Sequence, residues 1–256
     1  MAIVAFDAGH GIDTYPPAKG VPEMAEFEFN AAVVDYAMIL AARNDLQILL
    51  TQDLNGVDTP LPARTRIALN AGADLLVSFH ADWSPNPSAR GHWVFYWYDH
   101  PPSRRLAEIW DRHARELLPI PRRGPTPSRP GTWTNFHMTR EPARRGMPSI
   151  LVEHGFMSNP DDLEHLLSEE YRRLCAVVAV KACCEFLDKP YRGDEEMTQK
   201  PQWKTESIDY FFERNMLKDP EGWKDRIDEP LPVWAGFIML RRIHQDMVER
   251  TEPREG

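Results

Sequence analysis

Short uncharged apolar runs alternate along this chain with longer stretches in which apolar residues recur every three or four positions. The first run, Ala2-Ile3-Val4-Ala5-Phe6, is partly β-branched and predicts a buried strand. Phe29, Val33, Tyr36, Ala37 and Leu40 then fall at helical spacing and predict a helix over 26–43. Leu46 to Leu50 reads as a second strand. Pro60 or Pro62 opens a helix that runs through Leu69 and ends at Asn70-Ala71-Gly72. Leu75, Leu76 and Val77 mark a third buried strand over 74–79. Weak alternation and aromatic content predict a strand nearer the sheet edge over 91–98. A helix over 104–118, a last buried strand over 149–152, and helices over 161–167 and 169–187 complete the pattern. The five prolines and three arginines between Pro119 and Trp133 predict an irregular loop. Repeated alternation of strand and helix predicts an α/β fold: a twisted, largely parallel or mixed sheet flanked by helices on both faces.

The pattern changes near residue 188. Residues 1–187 form the α/β unit, 188–202 are polar with Pro and Gly and read as a linker, and 203–256 read as a small helical module. Two amphipathic patterns, 203–216 and 232–248, make up that module. So little chain buries little apolar surface, so its aromatics are expected to form a compact core or to dock on a neighbour.

Bulk chemistry narrows the field. The formal net charge of −9 gives a nucleic-acid partner little support. Cys175, Cys183 and Cys184 are odd in number and clustered in one apolar segment. That argues against a disulfide framework and against cysteine-ligated zinc, and predicts core thiols of a reducing compartment. No apolar run is long enough for a membrane span, and the N-terminus opens directly with a strand rather than a basic segment followed by an apolar stretch. The expectation is a protein that accumulates in the cytoplasm.

The candidate chemistry lies where strands end. The first strand runs into Asp7-Ala8-Gly9-His10-Gly11, whose glycines allow a sharp turn and leave the imidazole uncovered. In open α/β sheets ligands bind at the carboxyl ends of the strands. The third strand delivers His80 there and the last delivers Glu153, while Glu26 opens the first long helix. Two imidazoles and one carboxylate are a common catalytic zinc set that leaves a position for water. A carboxylate outside the metal shell can take that water's proton. The sequence offers a carboxylate for each role.

These pieces resemble, in order, the zinc-dependent type-3 N-acetylmuramoyl-L-alanine amidases. The matching stretches are Asp7 to Gly11, Glu26 to Asn30, Ala63 to Asn70, Ser78 to Asp82, the Arg123-Gly124 pair and Pro148 to Pro160. The resemblance implies that His10, Glu26 and His80 bind Zn²⁺ and that Glu153 is the catalytic carboxylate. It picks Glu26 over Glu23 and Glu28, because the ligand lies four residues before an Asn or apolar position. It implies cleavage of the amide between N-acetylmuramic acid and the L-alanine of the peptidoglycan stem peptide.

Three positions depart from the family: Asp82 stands for a frequent Asn, His154 for a small or neutral residue, and Gln52 for an Arg. His154 is read as a helper in substrate or transition-state binding. The basic residues from Arg122 to Arg145 are either a solvated loop or contacts to stem-peptide carboxylates. His137 is a candidate to line the cleft. The Trp93 to Trp97 stripe reads as core. Trp203, Trp223 and Trp234 suggest cell-wall binding, and residues 203–243 weakly resemble one S-layer-homology repeat that lacks its usual Thr-Arg.

The whole then reads as a phage-type endolysin, a zinc amidase with a wall-binding tail. The alternatives are a host autolysin or spore-associated amidase, a different zinc peptidase on a similar scaffold, and a wall-binding protein with a dead site.

Overall fold

The structure, a computed structural model, describes residues 2–193 together with 209 and 212–214. The chain divides into two compact units, Met1–Glu195 and Glu196–Gly256. The architecture that follows is that of the first unit. Of the linker and C-terminal module expected from the sequence, only residues 188–193, Asp209 and 212–214 are described; the remainder lies outside the described residues.

In chain order the elements are β1 (Ala2–Ala8), β2 (Gly20–Val21), β3 (Met24–Ala25), α1 (Glu26–Arg43), β4 (Leu46–Leu50), α2 (Leu61–Asn70), β5 (Leu75–Asp82), β6 (His92–Trp97), α3 (Pro101–Leu117), β7 (Arg122–Ser128), α4 (His137–Ala143), β8 (Ser149–Phe156), α5 (Pro160–Leu167) and α6 (Glu169–Phe186). The main sheet has six strands in the order β4-β1-β5-β8-β6-β7, and β2 and β3 form a small separate ribbon. The strands from β4 to β8 run parallel. β6 turns antiparallel to β8, and β7 pairs parallel with β6. This is the mixed α/β sheet that the hydrophobic pattern predicts.

The apolar runs become strands because both of their faces are covered. Val4, Ala5 and Phe6 of β1 and Leu75 and Leu76 of β5 are fully buried, as central parallel strands require. α1, α3 and α6 pack together on one face of the sheet, and α2 and α4 on the other. The second face closes on a cluster that includes Ala68, Leu76, Phe95, Met138 and Leu151. The cysteines behave as core residues: Cys175, Cys183 and Cys184 are buried, unbridged thiols of α6. Among the described residues no helix is long and apolar enough to cross a membrane.

Two local readings are corrected. The stretch from Pro119 to Trp133, expected as irregular loop, contains the edge strand β7. The Ser128 carbonyl accepts the Tyr98 N–H, so Ser128, and with it Thr126 and Gly124 at alternate positions, faces the ladder. Pro125 and Pro127 then turn their absent N–H groups to the open edge, where proline costs no ladder bond. α4, not expected from periodicity, is a single short helix with Pro142 inside it. At the far end, residues 188–193 are held to the unit: Arg192 donates to the Arg43 carbonyl (3.2 Å) and to Asp45 Oδ2 (2.6 Å).

Candidate functional site

The order of β4, β1 and β5 places the site. The chain leaves β1 through α1 to β4 on one side, then crosses through α2 to β5 on the other. The two helices lie on opposite faces, so a crevice opens at the carboxyl ends of β1 and β5. His10 follows β1 by two residues and His80 lies in β5. The β5–β8 register sets Glu153 directly beside His80. Glu26 is the first residue of α1, brought to the same place because its N–H donates to the Lys19 carbonyl (2.9 Å) at the β2–β3 ribbon.

One ligand atom each from His10, Glu26 and His80 lie within 4.8 Å of one another, a donor set able to hold a metal ion. Glu26 Oε2 is 3.2 Å from His10 Nε2, and Glu26 Oε1 is 2.9 Å from His80 Nδ1. Burial opposes the charged form of Glu26, but its hydrogen bonds to His10 and His80 outweigh this and hold the carboxyl well below the usual carboxylate range. Burial lowers the pKa of His80, favouring the neutral imidazole a metal needs. Glu23 and Glu28 are exposed; Glu28 Oε2 instead accepts the Ala25 N–H (3.0 Å) and caps the start of α1.

The turn that carries His10 works differently from the sequence expectation. The left-handed residue is His10 itself, with φ 65°. The flanking glycines serve close approach. A Cβ on Gly9 would sit 2.1 Å from the His80 ring, and one on Gly11 would sit 2.3 Å from the Asp58 backbone nitrogen. Gln52, read only as a missing Arg, holds this turn: its Nε2 donates to the Ala8 carbonyl and to the His10 carbonyl (2.6 Å), and its Oε1 accepts the Thr59 N–H (3.0 Å). Beneath lies a buried polar network. Asp7 accepts from Thr51 Oγ1 (2.5 Å), Ser78 Oγ (2.6 Å) and Arg64 Nη1 (3.1 Å). Asn30, one helical turn after Glu26, donates to the Gly9 carbonyl (2.9 Å) and ties α1 to the same loop.

Above the three ligand groups the cleft has a volume of about 680 Å³. Glu153, Asp82, His137, Trp83 and Lys19 line it together with His10, Glu26 and His80. Glu153 Oε2 is buried without a hydrogen-bond partner among the described residues. Burial, with Asp82 and Glu26 nearby, pushes its carboxyl well above the usual range. Burial and Glu26 raise Asp82 to about 6. His137, the first residue of α4, reaches the cleft as one of the sequence readings allowed.

His154 does not serve substrate. It is fully buried, its Nδ1 donates to the His80 carbonyl (3.0 Å), and its ring stacks on Phe79. It joins β8 to β5 beneath the site. The basic stretch is likewise used within the fold: Arg122 pairs with Asp111 (2.5 Å), Arg123 lies over the Trp93 ring (4.0 Å), and Arg140 and Arg144 pair with Glu141. None of them lines the cleft. The cation that does, Lys19, sits in a Pro-rich loop that gave no pattern to read.

A His-Glu-His donor set beside a buried, unpartnered carboxyl, at the switch point of a mixed α/β sheet, is the constellation of a metallohydrolase. Comparison with known proteins narrows that class. The sequence profile of the N-acetylmuramoyl-L-alanine amidase family matches residues 4–184, and the chain belongs to this type-3 amidase family. It is 28% identical over 176 residues to the N-acetylmuramoyl-L-alanine amidase CwlM of Bacillus licheniformis, a match covering 67% of this chain and 63% of that relative's length. Its fold is similar to the catalytic domain of CwlV, an N-acetylmuramoyl-L-alanine amidase from Bacillus (Paenibacillus) polymyxa var. colistinus. That comparison gives a TM-score of 0.66 and 27% identity, covering 74% of this chain and 100% of that one. It is similar also to the N-acetylmuramoyl-L-alanine amidase AmiC2 of Nostoc punctiforme, with a TM-score of 0.63 and 27% identity over 73% of this chain and 97% of that one.

Proposed function

We propose that this protein is a zinc-dependent hydrolase of the amide bond between the lactyl group of N-acetylmuramic acid and the L-alanine of the peptidoglycan stem peptide. The observation that carries the reading is the convergence of His10, Glu26 and His80 in a cleft that also holds the unpartnered carboxyl of Glu153. Two imidazoles and one carboxylate suit Zn²⁺ and leave a coordination position open. His10, Glu26 and His80 hold the ion in this reading. Bound Zn²⁺ supplies polarisation of the amide carbonyl and a water acidified to a pKa of about 7.

The proton traffic falls to Glu153. Its carboxylate accepts the proton of the attacking water and returns it to the nitrogen of the departing alanine. A carboxyl raised by burial suits both steps, since it takes a proton more readily than an ordinary carboxylate and can hand it on. Asp7, Gln52 and Asn30 keep the backbone beneath the ligands in place.

Digestion of purified peptidoglycan tests this. Wild type is expected to release new L-alanine N-termini and no new reducing ends. Chelation abolishes the release and added Zn²⁺ restores it. Glu153→Gln lowers the rate by about a hundredfold or more, the scale of a lost general base. New reducing ends, or chelator-resistant release, overturn the assignment.

The finer biological role we read as that of a phage-type endolysin that accumulates in the cytoplasm and reaches the wall at lysis. The C-terminal segment with Trp203, Trp223 and Trp234 acts as its wall-binding module. Support comes from the joining of one amidase-family unit to a short tryptophan-bearing tail. Cells expressing the protein are expected to lyse when their membrane is permeabilised and to remain intact otherwise. Full-length Trp203→Ala/Trp234→Ala is expected to sediment less with purified walls; unchanged sedimentation removes the wall-binding role.

A further inference from the structure

We propose that Lys19 is a specificity-determining residue that binds the free carboxylate on the second residue of the stem peptide. The proposal rests on the amidase reading above. Among the residues lining the cleft, three are carboxylic acids, Glu26, Asp82 and Glu153, and one is a Lys or Arg, Lys19. The Lys19 side chain is exposed, and its ammonium makes no hydrogen bond or ion pair among the described residues. Lys19 and Arg123 both act on Asp82, and of the two it is Lys19 that lines the cleft. Arg123, the other cation acting on Asp82, is occupied over the Trp93 ring and at the Arg90 carbonyl.

The backbone at Lys19 is built rather than loose. Its φ is 64°, a left-handed conformation in a residue with a side chain. Its carbonyl accepts the N–H of Glu26, so the lysine is referenced to the same residue that stands in the donor set. Gly20 follows because a Cβ there would meet the Tyr15 ring at 2.7 Å. The ribbon pair Gly20–Ala25 then fixes how the loop meets α1.

With Glu26 taken up by the metal in that reading, Asp82 and Glu153 are the acids left facing substrate, so an anionic group on the substrate calls for a cation of its own. Stem peptides carry such an anion close to the bond that is cut. Where the second residue is a γ-linked D-glutamate, its α-carboxylate stands about 7 Å from the scissile nitrogen, roughly the span of two extended residues. The carboxylate at the peptide's C-terminus lies at least two residues further on. Lys19 shares the cleft with Glu153, which serves the scissile nitrogen, and this favours the nearer carboxylate, that of the second residue. A lysine ammonium suits this task, as a point charge on a flexible stem.

The test uses the full chain, as wild type, Lys19→Met and Lys19→Arg, on soluble muramoyl-tetrapeptides. One substrate carries D-glutamate at the second position, one carries D-isoglutamine, and one carries D-glutamate with an amidated C-terminus. The readout is the ratio of kcat/KM between the acid and amide forms. Wild type is expected to favour the second-residue acid by about ten- to a hundredfold, the range for one charge-assisted hydrogen bond. Lys19→Met brings that ratio close to one, Lys19→Arg keeps most of it, and amidation of the C-terminus changes little.

A Lys19→Met ratio equal to that of wild type, including an equal loss on both substrates, overturns the proposal. Discrimination that follows the C-terminal carboxylate instead overturns the choice of the second residue. A wild type that cuts all three substrates equally leaves the amidase reading standing and removes this one. A wild type that cuts none removes both.

Discussion

At Gly9 a single hydrogen in place of a methyl group decides whether the site can assemble. The His80 ring occupies the space a Cβ would need, at 2.1 Å. Gly9→Ala is therefore expected to displace the imidazole while leaving the sheet, whose β1 ends one residue earlier, intact. Zinc affinity measured by competition with a chelating dye should fall about tenfold or more, as for other displaced supports of a ligand, with a far-ultraviolet spectrum like that of wild type. Unchanged affinity would show that the ring has another place to go. The Asp7–Arg64 pair beneath is a different kind of residue-scale constraint. Both side chains are fully buried, and Asp7 accepts three hydrogen bonds. Asp7→Ala removes the acceptor of three buried donors and leaves Arg64 only its other carboxylate partner, Asp58 (2.6 Å), so urea unfolding should show a loss of about 3–5 kcal/mol. Asp7→Ala combined with Arg64→Met should recover part of that loss, because one of the donors left without its acceptor goes with it; strict additivity would show that the two residues act independently.

At the scale of elements, the junction of β8, β6 and α5 is tied by one carboxylate. Asp162 Oδ2 accepts the N–H groups of Gly91 (2.6 Å) and Phe156 (3.2 Å), and Oδ1 accepts from Arg90 Nε (3.2 Å). Just before it, β8 bulges: His80 faces Glu153 but Asp82 faces Phe156, so the extra chain at His154 and Gly155 re-aims the strand end. Asp162→Ala leaves two buried N–H groups without acceptors. It should cost about 2–4 kcal/mol in thermal or urea unfolding, while Asp162→Asn, which keeps one acceptor, should cost less. The elements that the hydrophobic pattern and its start and stop signals revealed were β1, β4, β5, β6 and β8 and the helices α1, α2, α3, α5 and α6. What it could not reveal depends on partners distant in sequence. β7 is a strand because β6 offers it a ladder on one side only, and Pro125 and Pro127 hide that from any local reading. α4 is too short for a repeat to show. For the site, the strand ends gave His10, His80 and Glu153 because a buried run followed by a polar residue marks a sheet's rim. Gln52, Asn30 and Lys19 were not legible as functional positions, since their roles lie in carbonyls and loops that only the folded chain brings near. His154 was misread because a histidine beside a candidate base looks chemical, whereas strand alternation turns it into the core.

Across the whole molecule, stability should depend on pH through groups that burial holds in one charge state. His92 is buried against Trp110, neither ring nitrogen has a partner among the described residues, and burial pushes its pKa down to about 4. His154 is pushed down to about 3 by the same cause. In the unfolded chain each takes up a proton near 6.5. The unfolded state therefore binds more protons as pH falls below that value, and the fold loses stability until the folded-state pKa is reached. Asp82 acts in the opposite sense. Its raised carboxyl, at about 6, protonates in the fold before it does in the unfolded chain, and so adds stability as pH falls from 6 towards 4. The wild-type slope is thus a difference between opposing groups and assigns nothing by itself. Comparison with His92→Leu isolates one of them. Urea unfolding of both proteins at pH 7 and pH 4 should show the variant gaining on wild type by about 3 kcal/mol over that interval, because a tenfold difference in proton affinity between folded and unfolded chain is worth roughly 1.4 kcal/mol. An equal pH response in the two proteins would mean that His92 takes up its proton within the fold, with water or a carboxylate reaching a ring that the structure encloses.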